Sequence, residues 1–429
     1  MSVAIPKSLE PKFSASPVYA AIITFLTYAM VYGFRKPFTV GTYSDVPEVF
    51  GVAYKSCLVI SQVLGYMMSK FYGVKFISEL KRLGRGRMIL VLVAISWIAL
   101  LLFAIIPAPY NIPVLFLNGF PLGLIWGIIF SFVEGRKATD FIGAALAVSF
   151  IFSSGFVKTV TGVLQLQFAI TEFWLPFFAG LAFLIPLLLF VWLLEKIPPP
   201  SAADQLLRTE RKPMLKEDRK TYLKTFFPGI VTLLVIYVFL TVFRDIRDNF
   251  AADMWAEMGF GDQPAKFVQT EIPTTIIVLV LISAMVYIRN NLKALLVSHV
   301  IIGIGFLLAG IATLLFMQGA LDPFYWMMLV GLGLYMGYIP FNCVLFERMI
   351  ATFKYAGNVG FLIYLADSYG YLGSVAVILG KSVFHIQLSW TRFYSYGVMG
   401  LSIIGVLGTI VSGLYFNSMY NNKFHTDDK

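Results

Sequence analysis

Residues 88–107 read MILVLVAISWIALLLFAIIP, twenty positions without a charged side chain. At 1.5 Å of rise per residue, a helix of that length covers roughly the 30 Å hydrocarbon core of a bilayer. Working outward, similar apolar runs centre on residues 18–38, 52–74, 110–133, 140–165, 174–195, 225–247, 270–288, 294–317, 323–346, 356–380 and 393–417. With the first, they make twelve. Of the 429 residues, 59% are hydrophobic and 13% charged, whereas a soluble domain is charged at about one residue in four. The solvent of this chain is lipid, and its length leaves no room for a sizeable soluble domain. The N-terminus is polar up to Ser16-Pro17, and a long span follows instead of a cleavage site, so the first helix is expected to stay in the mature protein.

Basic residues alternate between sides. Lys7 and Lys12 precede the first run; Lys81, Arg82, Arg85 and Arg87 follow the second; Arg136 and Lys137 follow the fourth; Arg289 and Lys293 follow the eighth. The opposite loops carry acids: Asp45, Glu48, Glu172, Asp253, Glu257, Asp262 and Glu271. The positive-inside rule then predicts that both termini are cytoplasmic. It also accounts for the net charge of +10 without invoking nucleic acid. Between the sixth and seventh runs, residues 196–224 hold Pro198-Pro199-Pro200 and a series of Arg and Lys. They read as a cytoplasmic linker, its charges either solvated or resting on anionic lipid. The expected organisation is a six-helix half at 1–195, the linker, and a second half at 225–429. A shift of 212 positions (247 − 35) places Arg35 on Arg247, Phe38 on Phe250, Lys81 on Lys293, Gly119 on Gly331 and Arg136 on Arg348. An all-α membrane protein with two pseudo-symmetric six-helix bundles, and a site at their interface, is the fold class implied.

An ionised group at the bilayer centre costs roughly 2.5–3.5 kcal/mol even on the lenient insertion scale, so intramembrane charges mark function or pairing. In the first run Tyr28, Tyr32 and Arg35 share one helical face, a cation flanked by two phenols that suits an anion. The alternative is an arginine snorkelling to the headgroups. Tyr66 and Lys70 share a face of the second run, with the same alternative. The seventh run ends in Arg244-Asp245-Ile246-Arg247-Asp248, where Arg244 and Asp248, four apart, are placed to neutralise each other and Arg247 repeats the position of Arg35. Lys158 in the fifth run and Asp367 in the eleventh are isolated charges, either facing the cavity or forming an ion pair that steadies the bundle. Gly119, Gly123 and Gly127 allow close helix approach. Cys57 and Cys343 are packing residues, and His299, His385 and His425 are scattered. There is no nucleotide-binding loop, nucleophile elbow or zinc motif, so no catalytic, metal or cofactor site is expected.

Tyr28-x-x-x-Tyr32-x-x-Arg35-Lys36-x-Phe38, Tyr66-x-x-Ser69-Lys70-Phe71-x-Gly73, Gly119 to Gly127 and Tyr369-Gly370-Tyr371-Leu372-Gly373-Ser374 resemble the helices of the organophosphate:phosphate antiporters of the major facilitator superfamily, which include the bacterial glycerol-3-phosphate and hexose-phosphate transporters. The resemblance covers a small part of the chain, in both halves and in order. It implies the major facilitator fold, a multi-pass location in a bacterial inner (plasma) membrane, and Arg35 and Arg247 as the phosphate ligands, with Arg244 competing for the second place. Lys70 would be a supporting cation beside Tyr28 and Tyr32. The chain departs from the family by lacking its fifth-helix histidine near Ser149 to Gly155, Lys158 lying about a turn onward, and by a longer loop at Gly73 to Arg87. The expected activity is alternating-access exchange of a phosphorylated metabolite for inorganic phosphate. A proton-coupled symporter, using Asp367 or Asp245 and Asp248, and a membrane sensor of such a metabolite are the rivals.

Overall fold

A computed structural model describes residues 16–79, 84–134, 136, 139–199, 224–285, 287–353 and 359–424. Among them run twelve principal helices: α1 (Pro17–Tyr32), α2 (Tyr54–Glu79), α3 (Arg85–Ile105), α4 (Ile112–Ser131), α5 (Thr139–Phe168), α6 (Leu175–Glu195), α7 (Phe227–Asn249), α8 (Ala265–Met285), α9 (Asn291–Met317), α10 (Pro323–Thr352), α11 (Val359–Val383) and α12 (Trp390–Phe424). Nine of these are long and apolar enough to cross a bilayer, and α1 is a shorter apolar helix. α2 and α11, outside that count, carry Lys70 and Asp367. Proline in the first turn opens α1, α4, α6, α7 and α10, where its missing N–H would have had no intrahelical partner. Inside α10, Pro340 removes a donor and the chain passes through one π-turn, Phe341–Leu345, before resuming as α-helix.

Helix pairing carries the pseudo-symmetry. In the first half α2 packs on α4, α3 on α4, α1 on α5, α1 on α6 and α3 on α6. Adding six to each label gives the principal pairs of the second half: α8 with α10, α9 with α10, α7 with α11, α7 with α12 and α9 with α12. Across the interface α5 meets α8 and α11 meets α2, a pair that the same operation exchanges. These are two six-helix bundles related by a two-fold relation. α3, α6, α9 and α12 turn apolar side chains such as Ile98, Ile185, Ile304 and Leu414 outward, where only lipid can cover them. Small residues bring backbones together in the first half: a Cβ on Gly65 would lie 2.3 Å from the Phe116 carbonyl, and one on Gly119 2.3 Å from that of Gln62. Of the linker, only 196–199 and Lys224 are described, and Lys81, Arg82 and Lys137 fall outside the described residues.

Three loop acids of the sequence reading take other places. α8 begins six positions before Glu271, which is buried within the bundle, and Asp253 and Glu257 lie in a short helix, Ala251–Glu257, that follows α7. The apolar count missed all three because a helix end carrying charges raises no hydropathy signal. His299 is buried between α9 and α12, with Nε2 3.0 Å from the Ser412 hydroxyl and Nδ1 2.8 Å from the Leu295 carbonyl. Cys57 and Cys343 are partly buried.

Candidate functional site

Pro37 ends any continuation of α1, so the chain turns after Tyr32 and leaves the carbonyls of Phe34 and Arg35 without an intrahelical donor. Two amides from neighbouring helices collect them. Asn118 of α4 donates through Nδ2 to the carbonyls of Phe34 (2.9 Å) and Ser96 (3.0 Å), while Gln62 of α2 donates to that of Arg35 (2.8 Å) and to Asn118 Oδ1 (2.7 Å). Arg35 is thereby held at the centre of the protein by backbone contacts. Sequence reading passed over Gln62 and Asn118, although an amide inside an apolar run was the available signal.

The Arg35 guanidinium lies over the Tyr66 ring, 3.9 Å from its centroid, and within 3.5 Å of the Tyr32 hydroxyl. Its Nε is buried with no hydrogen-bond partner, and no carboxylate pairs with it among the described residues. Tyr28 meets Tyr32 edge-on at 5.3 Å, so the predicted face of α1 is assembled as expected. From α2, Lys70 points inward: its ammonium is 5.1 Å from the Tyr66 centroid and 4.0 Å from Asp367 Oδ2. Snorkelling to the headgroups is not its arrangement.

The second half faces this group with its own tyrosines. Tyr371 of α11 packs edge-on against Tyr66 at 5.5 Å, Tyr237 stacks on Tyr338 at 5.1 Å, and the Tyr237 hydroxyl donates to Asp367. Arg244 lies 4.1 Å from the Tyr338 centroid. Its Nε and Nη2 both donate to Asp245 Oδ1, at 3.2 and 2.6 Å, and Asp245 Oδ2 accepts from Ser374 at 3.0 Å. Nη1 of Arg244 has no hydrogen-bond partner among the described residues. Contacts through α11 join the two guanidinium groups into one aromatic cage: Arg35 lies over Tyr66, Tyr66 packs on Tyr371, and Ser374, three residues on, donates to the Asp245 carboxylate that holds Arg244. Three cations (Arg35, Lys70, Arg244) stand there against two carboxylates (Asp245, Asp367), an excess that suits an anion.

Arg247 lies elsewhere. Its Nη1 donates to Glu271 (2.6 Å) and its Nη2 to the Met327 carbonyl (3.0 Å), and Gly331 of α10 leaves the space it fills, since a Cβ there would stand 2.5 Å from Nη2. The repeat register brings Arg247 to the matching point of the chain without bringing its side chain to the cage. It stands three positions after Arg244 on α7 and is drawn into a second chamber by Glu271 of α8 and the Met327 carbonyl of α10, while Arg244 stays with Asp245 and the Tyr338 ring.

Asp248 forms the core of that other chamber. It does not neutralise Arg244, as spacing suggested; its Oδ2 lies 2.5 Å from Lys36 and its Oδ1 2.7 Å from Lys158, and Ser154 also donates to it. Lys158 therefore pairs with α7 and not with Asp367. All three partners come from the first half. Lys55 reinforces the junction by reaching Asp253 at 2.6 Å and the Thr39 carbonyl at 2.9 Å, and Thr159 donates to the Pro264 carbonyl at 2.8 Å. Burial, opposed by Lys55, pushes the Asp253 carboxyl above the usual carboxylate range. The same 212-residue register puts Lys36 on Asp248 (36 + 212), so this ion pair joins the two equivalent positions across the two-fold relation. Among the described residues, no three His, Cys, Asp or Glu side chains converge as metal ligands.

A crystal structure of a mutant of the nucleoside transporter NupG aligns with a TM-score of 0.56 at 13% identity, over 94% of this chain and 99% of that one. A crystal structure of a D-xylose-proton symporter aligns with a TM-score of 0.60 at 15% identity, over 93% and 97%. Both neighbours are transporters, and what they share with this chain is the major facilitator fold. No curated protein matches the sequence significantly. The profile of one family, described as "Family of unknown function (DUF5690)", spans residues 37–419, nearly the whole chain, and the protein belongs to that family.

Proposed function

We propose that the protein is a secondary transporter that moves an organic anion, a phosphorylated metabolite, by exchange against inorganic phosphate. One observation carries the reading: Arg35, half-buried over Tyr66, has no carboxylate partner among the described residues and a buried, unsatisfied Nε. A buried guanidinium N–H left in that state costs free energy that a bound anion recovers. Arg35 from the first half and Arg244 from the second would each present N–H groups to one phosphoryl group, a bidentate match that lysine does not offer. Lys70 adds field, and the tyrosines supply hydroxyls and ring faces for the organic part. Neutralising the cage draws the halves together, so the loaded carrier crosses more readily than the empty one.

The motif resemblance to organophosphate:phosphate antiporters supports the same substrate class, with Arg244 taking the place first given to Arg247. Proteoliposomes loaded with inorganic phosphate should accumulate labelled phosphate by counterflow. A purified, folded protein that shows no counterflow with phosphate would overturn the exchange reading and favour the sensor. The second reading, proton-coupled symport, is favoured by Asp367, which lies between the Lys70 ammonium and the Tyr237 hydroxyl. In that case an imposed pH gradient would drive net uptake.

For the membrane topology we propose cytoplasmic termini, halves at 1–195 and 225–429, and a cytoplasmic linker at 196–224, on the distribution of Lys and Arg. A reporter that works only in the cytoplasm should be active when fused after Lys429; activity of a periplasm-only reporter there would reverse the assignment.

A further inference from the structure

The two carboxylates of the cage differ in what they have left to offer. Asp245 is engaged at both oxygens: Oδ1 accepts from Nε and Nη2 of Arg244, at 3.2 and 2.6 Å, and Oδ2 accepts from the Ser374 hydroxyl at 3.0 Å. Asp367 is engaged at one. Its Oδ1 accepts from the Tyr237 hydroxyl, and because a hydroxyl has a single hydrogen, Tyr237 in turn accepts from Tyr338, 3.0 Å away. This relay, from α7 and α10, orients the carboxylate of α11. Its Oδ2 accepts no hydrogen bond among the described residues and lies 4.0 Å from the Lys70 ammonium of α2, outside hydrogen-bonding distance.

An oxyanion that takes Lys70 as a counter-ion therefore meets Oδ2 as well. Two charged oxygens at one ammonium repel each other when neither has a hydrogen to place between them. The contact becomes attractive when the anion itself carries an O–H, since an ionised carboxylate only accepts hydrogen bonds and a bond to its charged oxygen is a strong one. An ammonium on the substrate would also satisfy Oδ2, but it would have to enter beside Lys70, Arg35 and Arg244, and three cations oppose it. The hydrogen that suits Oδ2 is one borne by an anion.

We propose that Asp367 is the specificity residue of the cage: its Oδ2 accepts the P–OH hydrogen of the bound anion. The site then takes a protonated oxyanion, either inorganic hydrogen phosphate or a phosphomonoester as its monoanion, and rejects an oxyanion without a hydrogen, such as sulfate. The inference rests on the anion cage of the proposed function and adds to it the protonation state of the substrate. The charged and titratable groups that face Asp367 are Lys70 from α2 with Tyr66 beside it, Tyr237 from α7 and Tyr338 from α10; Tyr371, one turn on along α11, packs against Tyr66. Asp367 stays ionised, and the hydrogen stays on the anion.

The test is the binding of inorganic phosphate, sulfate and methyl phosphate to the purified full-length protein by titration calorimetry. At about pH 8 inorganic phosphate and sulfate are both dianions and only phosphate carries an O–H, so phosphate should bind about tenfold to a hundredfold more tightly, the effect of one hydrogen bond to a charged group. Methyl phosphate loses its P–OH at a second pKa of about 6, and above it binding should weaken by up to about tenfold per pH unit. Asp367→Asn keeps an acceptor for Tyr237 and presents an amide N–H in place of Oδ2. In that variant the preference for phosphate should fall toward one through tighter sulfate binding, and the weakening of methyl phosphate with pH should disappear. Loss of negative charge alone would strengthen both dianions equally and leave the preference unchanged. An unchanged preference in Asp367→Asn, or a native protein that binds phosphate and sulfate alike, would overturn the proposal and leave the anion cage standing. Binding of none of the three anions would overturn both.

Discussion

Arg35→Lys should lower phosphate exchange by about tenfold to a hundredfold, the equivalent of one charge-assisted hydrogen bond worth roughly 1.5–3 kcal/mol. The change keeps the charge, and an ammonium at the end of a flexible stem loses the planar fork that matches two phosphoryl oxygens. Folding should be spared, since Gln62 and Asn118 hold this turn by the carbonyls of Arg35 and Phe34, which the substitution leaves in place. Arg244→Lys should be equally damaging. Arg247→Lys should instead leave phosphate affinity near the native value and lower the melting temperature, because what it breaks is the bonding to Glu271 and the Met327 carbonyl. Counterflow rates, binding isotherms for inorganic phosphate and thermal unfolding of the purified variants separate these outcomes. If Arg247→Lys abolishes binding and Arg244→Lys is silent, the cage has been assigned to the wrong arginine. If Arg35→Lys is silent, the anion site lies elsewhere.

Asp248→Ala should destabilise the closed junction by about 3–5 kcal/mol, the usual effect of removing one member of a buried ion pair and leaving its partners charged. Here two ammonium groups, Lys36 and Lys158, lose their shared carboxylate at once. The variant should spend its time with the halves apart, read as long distances between labels in the two halves, and exchange should slow because closing has become unfavourable. Exchanging charge between Lys36 and Asp248 should not repair the damage, since a lysine at 248 would then confront Lys158. Replacing all three, as Lys36→Met, Lys158→Met and Asp248→Leu, should restore much of the stability without restoring exchange, because an apolar junction packs well but no longer responds to charge. A charge-swapped pair with native stability would show that Lys158 contributes little.

Part of the candidate site was legible before any coordinates. Tyr28 and Tyr32, four apart in α1, are spaced to share a helical face and do meet, and Arg35 reaches the Tyr32 hydroxyl from the turn that follows the helix. Lys70 and Asp367 were recognisable as charges in apolar runs. The sequence offered Lys158 as a partner for Asp367 and missed the pairing of Asp367 with Lys70, since contacts between α2 and α11 span almost three hundred residues (367 − 70) and follow from the crossing of helices. The Arg244 and Arg247 alternative shows the same boundary. Both are cationic at one helix end, the repeat register favours Arg247, and only the rotation of α7 against α8 and α10 sends that side chain to Glu271.

Sequence alone determined the solvent, the class and the repeat: twelve apolar runs and a 212-residue register suffice because lipid tolerates only spans that satisfy their own backbone, and a duplicated unit leaves its glycines and charges in step. Tertiary structure decided which charges are joined. The sequence reading had Asp248 with Arg244, four residues away, and the fold gives it to Lys36 and Lys158 of the other half. Partner choice among buried charges depends on which groups are desolvated together, and that depends on how two bundles meet, a relation no local spacing contains.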